Sequence, residues 1–283
     1  MLHVVVPVHN RAQVTARFLD ALAAQTVTDF RLVLVDDGCT DDTVAIARAR
    51  IGTGRLLVLH GDGNLWWAGA LQRAWQHLAA EPPDAGDAVL IINDDVTFEP
   101  GFLAGGLAAL AEAPGACFQA IGVDRRTGEV DRGAVADLVR LHFRGAAESE
   151  APNCLSTRGL LMGADTFRRS GGFRPRWLPH YLSDYEFTLR LQRQGVPLRV
   201  DPRFSASVAF ELTGLERPAR RGPRRFIADA FSNRAKFNPK HWSAFVVMAC
   251  PPWVVPVHLA RIWLRFARSL LGSAWPRAGQ VTR

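Results

Sequence analysis

Four unbroken apolar runs separated by helical stretches constrain this chain more than any other feature. His3 to Val8, Arg31 to Val35, Arg55 to His60 and Ala88 to Ile92 carry apolar residues at both odd and even positions, so each is predicted as a strand covered on both faces. Between them, Val14 to Ala24 and Trp67 to Ala80 show apolar residues at helical spacing, and Thr40-Asp41-Asp42-Thr43 offers capping residues for a third helix running to Arg50. Strand and helix in alternation predict an α/β fold, a mainly parallel central sheet with helices on both faces. The first, second and fourth runs end on His9-Asn10-Arg11, Asp36-Asp37-Gly38 and Asn93-Asp94-Asp95. In such a sheet ligands sit beyond the carboxyl ends of the strands, which is where these clusters fall.

Further along, the pattern is less regular from Cys117 to Phe143; then Leu155 to Met162 reads as a strand and Asp165 to Ser170 as a short helix ended by Gly171-Gly172. Ser183 to Gln194 reads as a helix stopped by Gly195. Pro218 to Arg225 is basic and rich in proline and glycine, and marks a boundary between an α/β domain over residues 1–225 and a helical tail over 226–283.

The formal charge of +7 comes almost entirely from arginine and suits polyphosphate ligands, nucleic acid or an anionic membrane surface. No RNA- or DNA-binding motif accompanies it, so nucleic acid is not an expected partner. Cys39, Cys117, Cys154 and Cys250 are widely separated, which points to neither a zinc site nor a disulfide framework and fits a reducing compartment. The chain enters a strand at once, with no basic and apolar leader, and a cytoplasmic location is expected.

Asp94 and Asp95 follow a buried strand and offer hard oxygen ligands where a diphosphate would share a magnesium or manganese ion; the alternative is a polar turn. Asp36 and Asp37 either accept hydrogen bonds from a nucleoside or serve only as turn and cap. Pro7-Val8-His9-Asn10-Arg11 stands where a G-x-G-x-x-G turn would be, which excludes the dehydrogenase-type pyrophosphate loop. Ser183 and Glu186 have capping-box spacing, which leaves Asp184 in the first turn, kept ionised by the helix dipole and available as a general base. Gly63-Asn64-Leu65-Trp66-Trp67-Ala68-Gly69-Ala70 sets paired tryptophans among small residues, for core packing or for stacking on a sugar or nucleotide.

Taken in order, Val5-Val6-Pro7-Val8-His9-Asn10-Arg11, Val35-Asp36-Asp37-Gly38, Gly63-Asn64-Leu65-Trp66-Trp67-Ala68-Gly69-Ala70, Ile92-Asn93-Asp94-Asp95 and Asp184-Tyr185-Glu186-Phe187 resemble the family 2 glycosyltransferases of the GT-A fold, in particular their rhamnosyl- and galactofuranosyl-transferase-like branch. The resemblance spans roughly residues 2–240. It implies a Rossmann-like sheet and an inverting, metal-dependent transfer of a sugar from a nucleoside-diphosphate sugar to an acceptor hydroxyl. Pro7, Asn10, Arg11, Asp36 and Asp37 would surround the nucleoside. Asn93-Asp94-Asp95 would take the D-x-D position, with Asp95 the main ligand of a magnesium or manganese ion and Asn93 a ribose or sugar contact. Asn64, Trp66, Trp67, Ala68, Gly69, Asp94 and Glu186 complete the implied substrate-binding set, and Asp184 matches the catalytic base. Where the family often carries a histidine ligand this chain reads Phe210-Glu211-Leu212, so Glu211 would stand in as an oxygen donor unless water does.

His241 to Ala260 is free of charge but broken by Pro251, Pro252 and Pro256, and the arginines from Arg261 to Arg268 then alternate with Trp263, Leu264, Leu270 and Leu271. The expectation is a tail lying on or dipping into the inner-membrane surface near a glycan or glycolipid acceptor, the alternative a helical pair packed on protein. Two other functions stay open: a degenerate scaffold or glycan-binding subunit, and a sugar nucleotidyltransferase, although no basic glycine-rich loop follows the first strand. Self-association is left open.

Overall fold

A computed structural model describes residues 1–124, 126–208 and 223–274. The predicted strands form as β1 (Leu2–Val8), β2 (Phe30–Asp36), β3 (Leu56–His60) and β4 (Ala88–Ile91). They are joined by α1 (Ala12–Ala23), α2 (Thr43–Ile51) and α3 (Trp66–Ala80), and all four run parallel in the order β3-β2-β1-β4. The period of two divides them between two cores. Val4, Val6, Leu32 and Leu34 pack with Phe18 and Leu19 of α1 on one face, while Val5, Val33, Val35 and Ile91 pack with Leu71 and Ala74 of α3 on the other. Pro7 lies in an interior strand without breaking it, because β1 pairs with β4 only as far as Val5 and beyond it meets β2 alone.

The chain continues through α4 (Phe102–Glu112), β5 (Cys117–Val123), the short β6 (Val130–Asp131), a hairpin of β7 (Ala134–Asp137) and β8 (His142–Gly145), β9 (Leu160–Gly163), α5 (Ala164–Arg169), α6 (Ser183–Arg193) and β10 (Leu198–Ser207). β9 inserts antiparallel between β4 and β5, and β10 runs parallel to β5 at the edge. The sheet order is thus β10-β5-β9-β4-β1-β2-β3, with β6 paired to β5: mixed, and mainly parallel. The strand expected over Leu155 to Met162 is shorter. The Leu155 amide donates to the Thr188 hydroxyl and the Ser156 amide to the Gln119 side chain, so this backbone is satisfied by side chains before the ladder begins. Gly105 and Gly106 let α4 lie directly on β10; a Cβ on Gly105 would fall 1.9 Å from the Arg203 carbonyl oxygen.

The last elements are α7 (Pro223–Ala230), α8 (Pro239–Ala249) and α9 (Val255–Ala274). Asn238 caps α8 by accepting the amides of Lys240 and His241. Phe245 and Ala249 are buried against Leu178, Leu189 and Cys154, and Arg193 of α6 donates to the carbonyls of Met248 and Ala249. One face of α8 is thus packed on protein, as the alternative reading of this stretch had it, while Val247 and Trp253 stay exposed. Among the described residues no helix is long and apolar enough to cross a membrane. α9 differs, with Leu264 and Leu271 exposed beside the arginines of the same helix. The boundary expected over Pro218 to Arg225 lies mostly outside the described residues.

Candidate functional site

The polar clusters meet at the carboxyl rim of the parallel strands. Asp36 ends β2 and Asn93 to Asp95 follow β4, and because β1 separates these strands the two clusters stand about two strand spacings, ~10 Å, apart. Arg11, just beyond β1, fills the interval. Its Nη1 lies 2.9 Å from Asp94 Oδ1 and its Nη2 3.1 Å from Asp95 Oδ2. Asp94 is 3% exposed and also accepts from the Thr15 hydroxyl at 2.8 Å. Burial raises its pKa, and the opposing pull of Arg11 and Thr15 does not cancel that. Asp95 keeps 27% of its side chain exposed, and the Asn93 Oδ1 is buried with no hydrogen-bond partner, an acceptor waiting for a donor.

Other acidic residues at the rim are spent on building it. Asp36 accepts the Cys39 amide at 2.7 Å and the His60 ring at 3.0 Å. Burial works against its charge, yet these bonds hold the carboxyl below the usual range. Asp37 accepts three backbone amides, those of Gly63, Leu65 and Trp66 at 2.9, 3.1 and 3.2 Å, and so shapes the loop into α3. Asn10 accepts the Thr40 amide at 2.7 Å. Gly38 has φ +70° and a Cβ there would press on Gly63 at 2.9 Å, so the loops after β2 and β3 touch backbone to backbone. Sequence reasoning placed Asp36, Asp37 and Asn10 around the nucleoside; their side chains are occupied in organising the loops that would hold it. Pro7 is buried within β1.

The tryptophan pair divides. Trp67 donates its indole N–H to Thr157 at 3.0 Å and joins the core, whereas Trp66 faces the His180 ring at 6.0 Å and lines a cleft together with Asn64 and Gly69. The Ala68 amide donates to the Pro179 carbonyl at 2.9 Å, tying α3 to the segment that enters α6. Trp66 and Leu182, the residues at or before the first turns of α3 and α6, have φ of 58° and 67°. Left-handed backbone on bulky residues is strained, and such strain persists where surrounding structure enforces it.

Asp184 sits in the first turn of α6. Its carboxylate accepts the Tyr185 amide at 2.9 Å, and burial, with this bond and Arg158 opposing, pushes its pKa up to about 6. Desolvation outweighs the helix dipole, yet at about 6 the carboxyl is still ionised at neutral pH, as expected. Arg158 precedes Gly159, whose amide donates to the Ile91 carbonyl at the end of β4, which connects the Asp184 neighbourhood to the Asn93-Asp94-Asp95 cluster. The capping box is absent. Ser183 Oγ donates to the His180 carbonyl, and Glu186, 5% exposed, is paired with Arg190 at 2.8 Å. Arg190 donates in turn to the carbonyls of Ser170 and Gly172, so Glu186 fastens that turn through Arg190. Thr15, His60, Arg158 and His180 were missed by sequence reasoning, as each lies outside any motif and is recruited by tertiary approach.

Among the described residues no group of three or more His, Cys, Asp or Glu side chains forms a metal site; Glu211 lies outside them. The donor set still fits a hard divalent cation shared with a diphosphate, since such ions are often held by one or two carboxylates with phosphate oxygens completing the shell, and Asp95 remains accessible beside buried Asp94.

The family model described as glycosyl transferase family 2 matches residues 3–156. The PGL/p-HBAD biosynthesis glycosyltransferases of Mycobacterium tuberculosis and Mycobacterium bovis are 31% identical over 192 residues, covering 67% of this chain and 69% of theirs. Among solved structures, the mannosyltransferase PcManGT from Pyrobaculum calidifontis, in complex with GDP-Man and Mn2+, superposes with a TM-score of 0.59 at 21% identity over 99% of this chain and 76% of that one. S. aureus TarS 1–349, in complex with UDP-GlcNAc, gives 0.58 at 14% over 98% and 93%. The fold is thus the one these transferases share. With a matching family model over more than half its length and the predicted motifs at one rim, the chain belongs to the family 2 glycosyltransferases.

Proposed function

We propose that this glycosyltransferase moves a sugar from a nucleoside-diphosphate sugar to an acceptor hydroxyl with inversion at the anomeric carbon, Asp184 serving as the base. The observation that carries the reading is the half-buried Asp184 carboxyl, tuned to about 6 and linked through Arg158 and Gly159 to the end of β4. A base with a pKa just below neutrality is ionised at working pH yet still takes up a proton. It removes the acceptor proton as the oxygen attacks, and the nucleoside diphosphate departs from the opposite face. Arg11 supplies fixed positive charge near the leaving diphosphate, and Asn93 Oδ1 accepts from a ribose or sugar hydroxyl. A magnesium or manganese ion held by Asp95, with Glu211 as a further donor, would neutralise charge on the diphosphate.

In this reading residues 1–225 are the catalytic body and 226–283 a tail fastened to it by α8. α9, with Trp263, Leu264 and Leu271 exposed beside Arg261, Arg265 and Arg268, lies on an anionic membrane surface at the cytoplasmic face, where a glycolipid acceptor would be presented. The test is a panel of nucleotide sugars incubated with and without manganese, followed by release of nucleoside diphosphate. Release of pyrophosphate instead would identify a nucleotidyltransferase, and no turnover or binding of any donor would leave a scaffold.

A further inference from the structure

A cleft of about 680 Å³ opens beside the strained start of α3 and is walled by Trp66, Arg73, Arg176, Pro179, Lys240 and His241. It draws on four separate parts of the chain: α3 with the loop into it, the segment leading to α6, Asn233 ahead of α8, and the first turn of α8. Its charge is one-sided. Arg73, Arg176 and Lys240 are its ionised groups, no aspartate or glutamate lines it, and none of the three forms an ion pair among the described residues. Three other arginines of this half of the fold behave differently: Arg190, Arg193 and Arg203 are each tied to carboxylates or helix-end carbonyls.

Cations gathered in a concave surface repel one another and focus a positive potential that an anion relieves. Two neutral groups add to the pattern. His241 is 6% exposed and His180 lies beside it, and the Nδ1 of each is buried without a hydrogen-bond partner. Burial, with Lys240 and His180 opposing protonation, pushes His241 down to about 4, so it stays a neutral imidazole. Trp66 offers an aromatic wall of the kind on which a sugar ring rests. Pro179 brings the cleft within five residues of Asp184 along the chain, and the Ala68–Pro179 hydrogen bond holds that wall to α3.

We propose that this cleft is an acceptor subsite for an acidic sugar, one bearing a phosphate or a carboxylate, with Trp66 under the ring and Arg73, Arg176 and Lys240 around the anionic group. The inference rests on the reading of Asp184 as the base that the acceptor hydroxyl approaches.

The test uses the full chain and three probes of one size, glucose 6-phosphate, glucuronate and glucose, titrated calorimetrically at fixed ionic strength. The expected result is that at least one acidic probe binds about tenfold or more tightly than glucose, and that added salt weakens it. In R176Q/K240Q the preference is expected to disappear, with melting temperature unchanged, while R176K retains most of it. Which acidic probe wins identifies phosphate or carboxylate as the recognised group. Equal affinity for all three probes overturns the proposal, and so does an acidic preference that survives in R176Q/K240Q, which would put the anion in the diphosphate site. Nucleoside diphosphate is titrated into the same protein. Binding of it without acidic-sugar preference sinks the cleft and spares the donor reading; the reverse pattern sinks the donor reading and spares the cleft.

Discussion

The guanidinium of Arg11 straddles Asp94 and Asp95, one nitrogen to each carboxylate, at 2.9 and 3.1 Å. It joins the turn after β1 to the turn after β4 and keeps two adjacent acids together. Removing it leaves Asp94 buried with only the Thr15 hydroxyl as partner. Arg11→Ala is expected to lower unfolding stability by about 1–3 kcal/mol, the usual range for stranding a buried polar partner. Urea denaturation of parent and variant measures it, and an unchanged midpoint would show that the bridge contributes nothing.

Asp184→Asn keeps the shape and loses the base. A positioned general base is worth about 100- to 10,000-fold, so kcat is expected to fall by that order with donor affinity nearly retained. Steady-state kinetics on the donor found by the nucleotide-sugar panel decides it; parental turnover would move the base elsewhere.

The pH profile gives an independent reading. Because burial raises the Asp184 pKa to about 6, the carboxylate is ionised above that value and protonated below it. The rate is therefore expected to be flat at neutral pH and to fall about tenfold per unit as pH drops below the apparent pKa. A limb near 4, the ordinary carboxylate value, would show that desolvation is not setting this group.

Asp37→Ala removes the acceptor for three amides of the loop into α3. We expect a rise in donor KM and a stability loss of about 1–3 kcal/mol, with Asp37→Asn recovering part of both by retaining one acceptor oxygen. Equal donor KM in all three proteins would detach the loop from donor binding.

For the tail, Trp263→Ser/Leu264→Ser/Leu271→Ser is the proper comparison with the full chain, because cutting the chain near residue 225 would remove α8 and its buried Phe245. Sedimentation with vesicles containing phosphatidylglycerol is expected to fall severalfold in the triple variant, each buried methylene being worth about 0.8 kcal/mol. Equal sedimentation would return α9 to a protein-packing role.

The parallel half of the fold was legible because its strands are buried on both faces, and unbroken valine and leucine runs leave little else to predict. The clusters after β1, β2 and β4 were legible for the same reason, since a polar residue directly after such a run lies at the rim. What each carboxylate does there was not. Asp36, Asp37 and Glu186 look in sequence like Asp95 and Asp184, and only the approach of the His60 ring, the Gly63 to Trp66 amides and Arg190 shows that the first three hold neighbouring backbone and side chains in place. The Ser183–Glu186 spacing misled because Leu182 turns left-handed and sends Ser183 Oγ back to His180. From His241 onward the apolar sequence of α8 fits a bilayer or a protein core equally well, and the packing of Phe245 and Ala249 with Leu178 and Leu189 puts that face in the core.

β9 runs against its neighbours, so the polypeptide arrives at the working rim along 154–159 instead of leaving from it. The rim is consequently stitched from two sources, outgoing turns that precede residue 97 and an incoming segment continued by the Asp184 helix. In the proposed reading that seam divides the labour: the earlier half holds the activated sugar and the later half meets the receiving molecule.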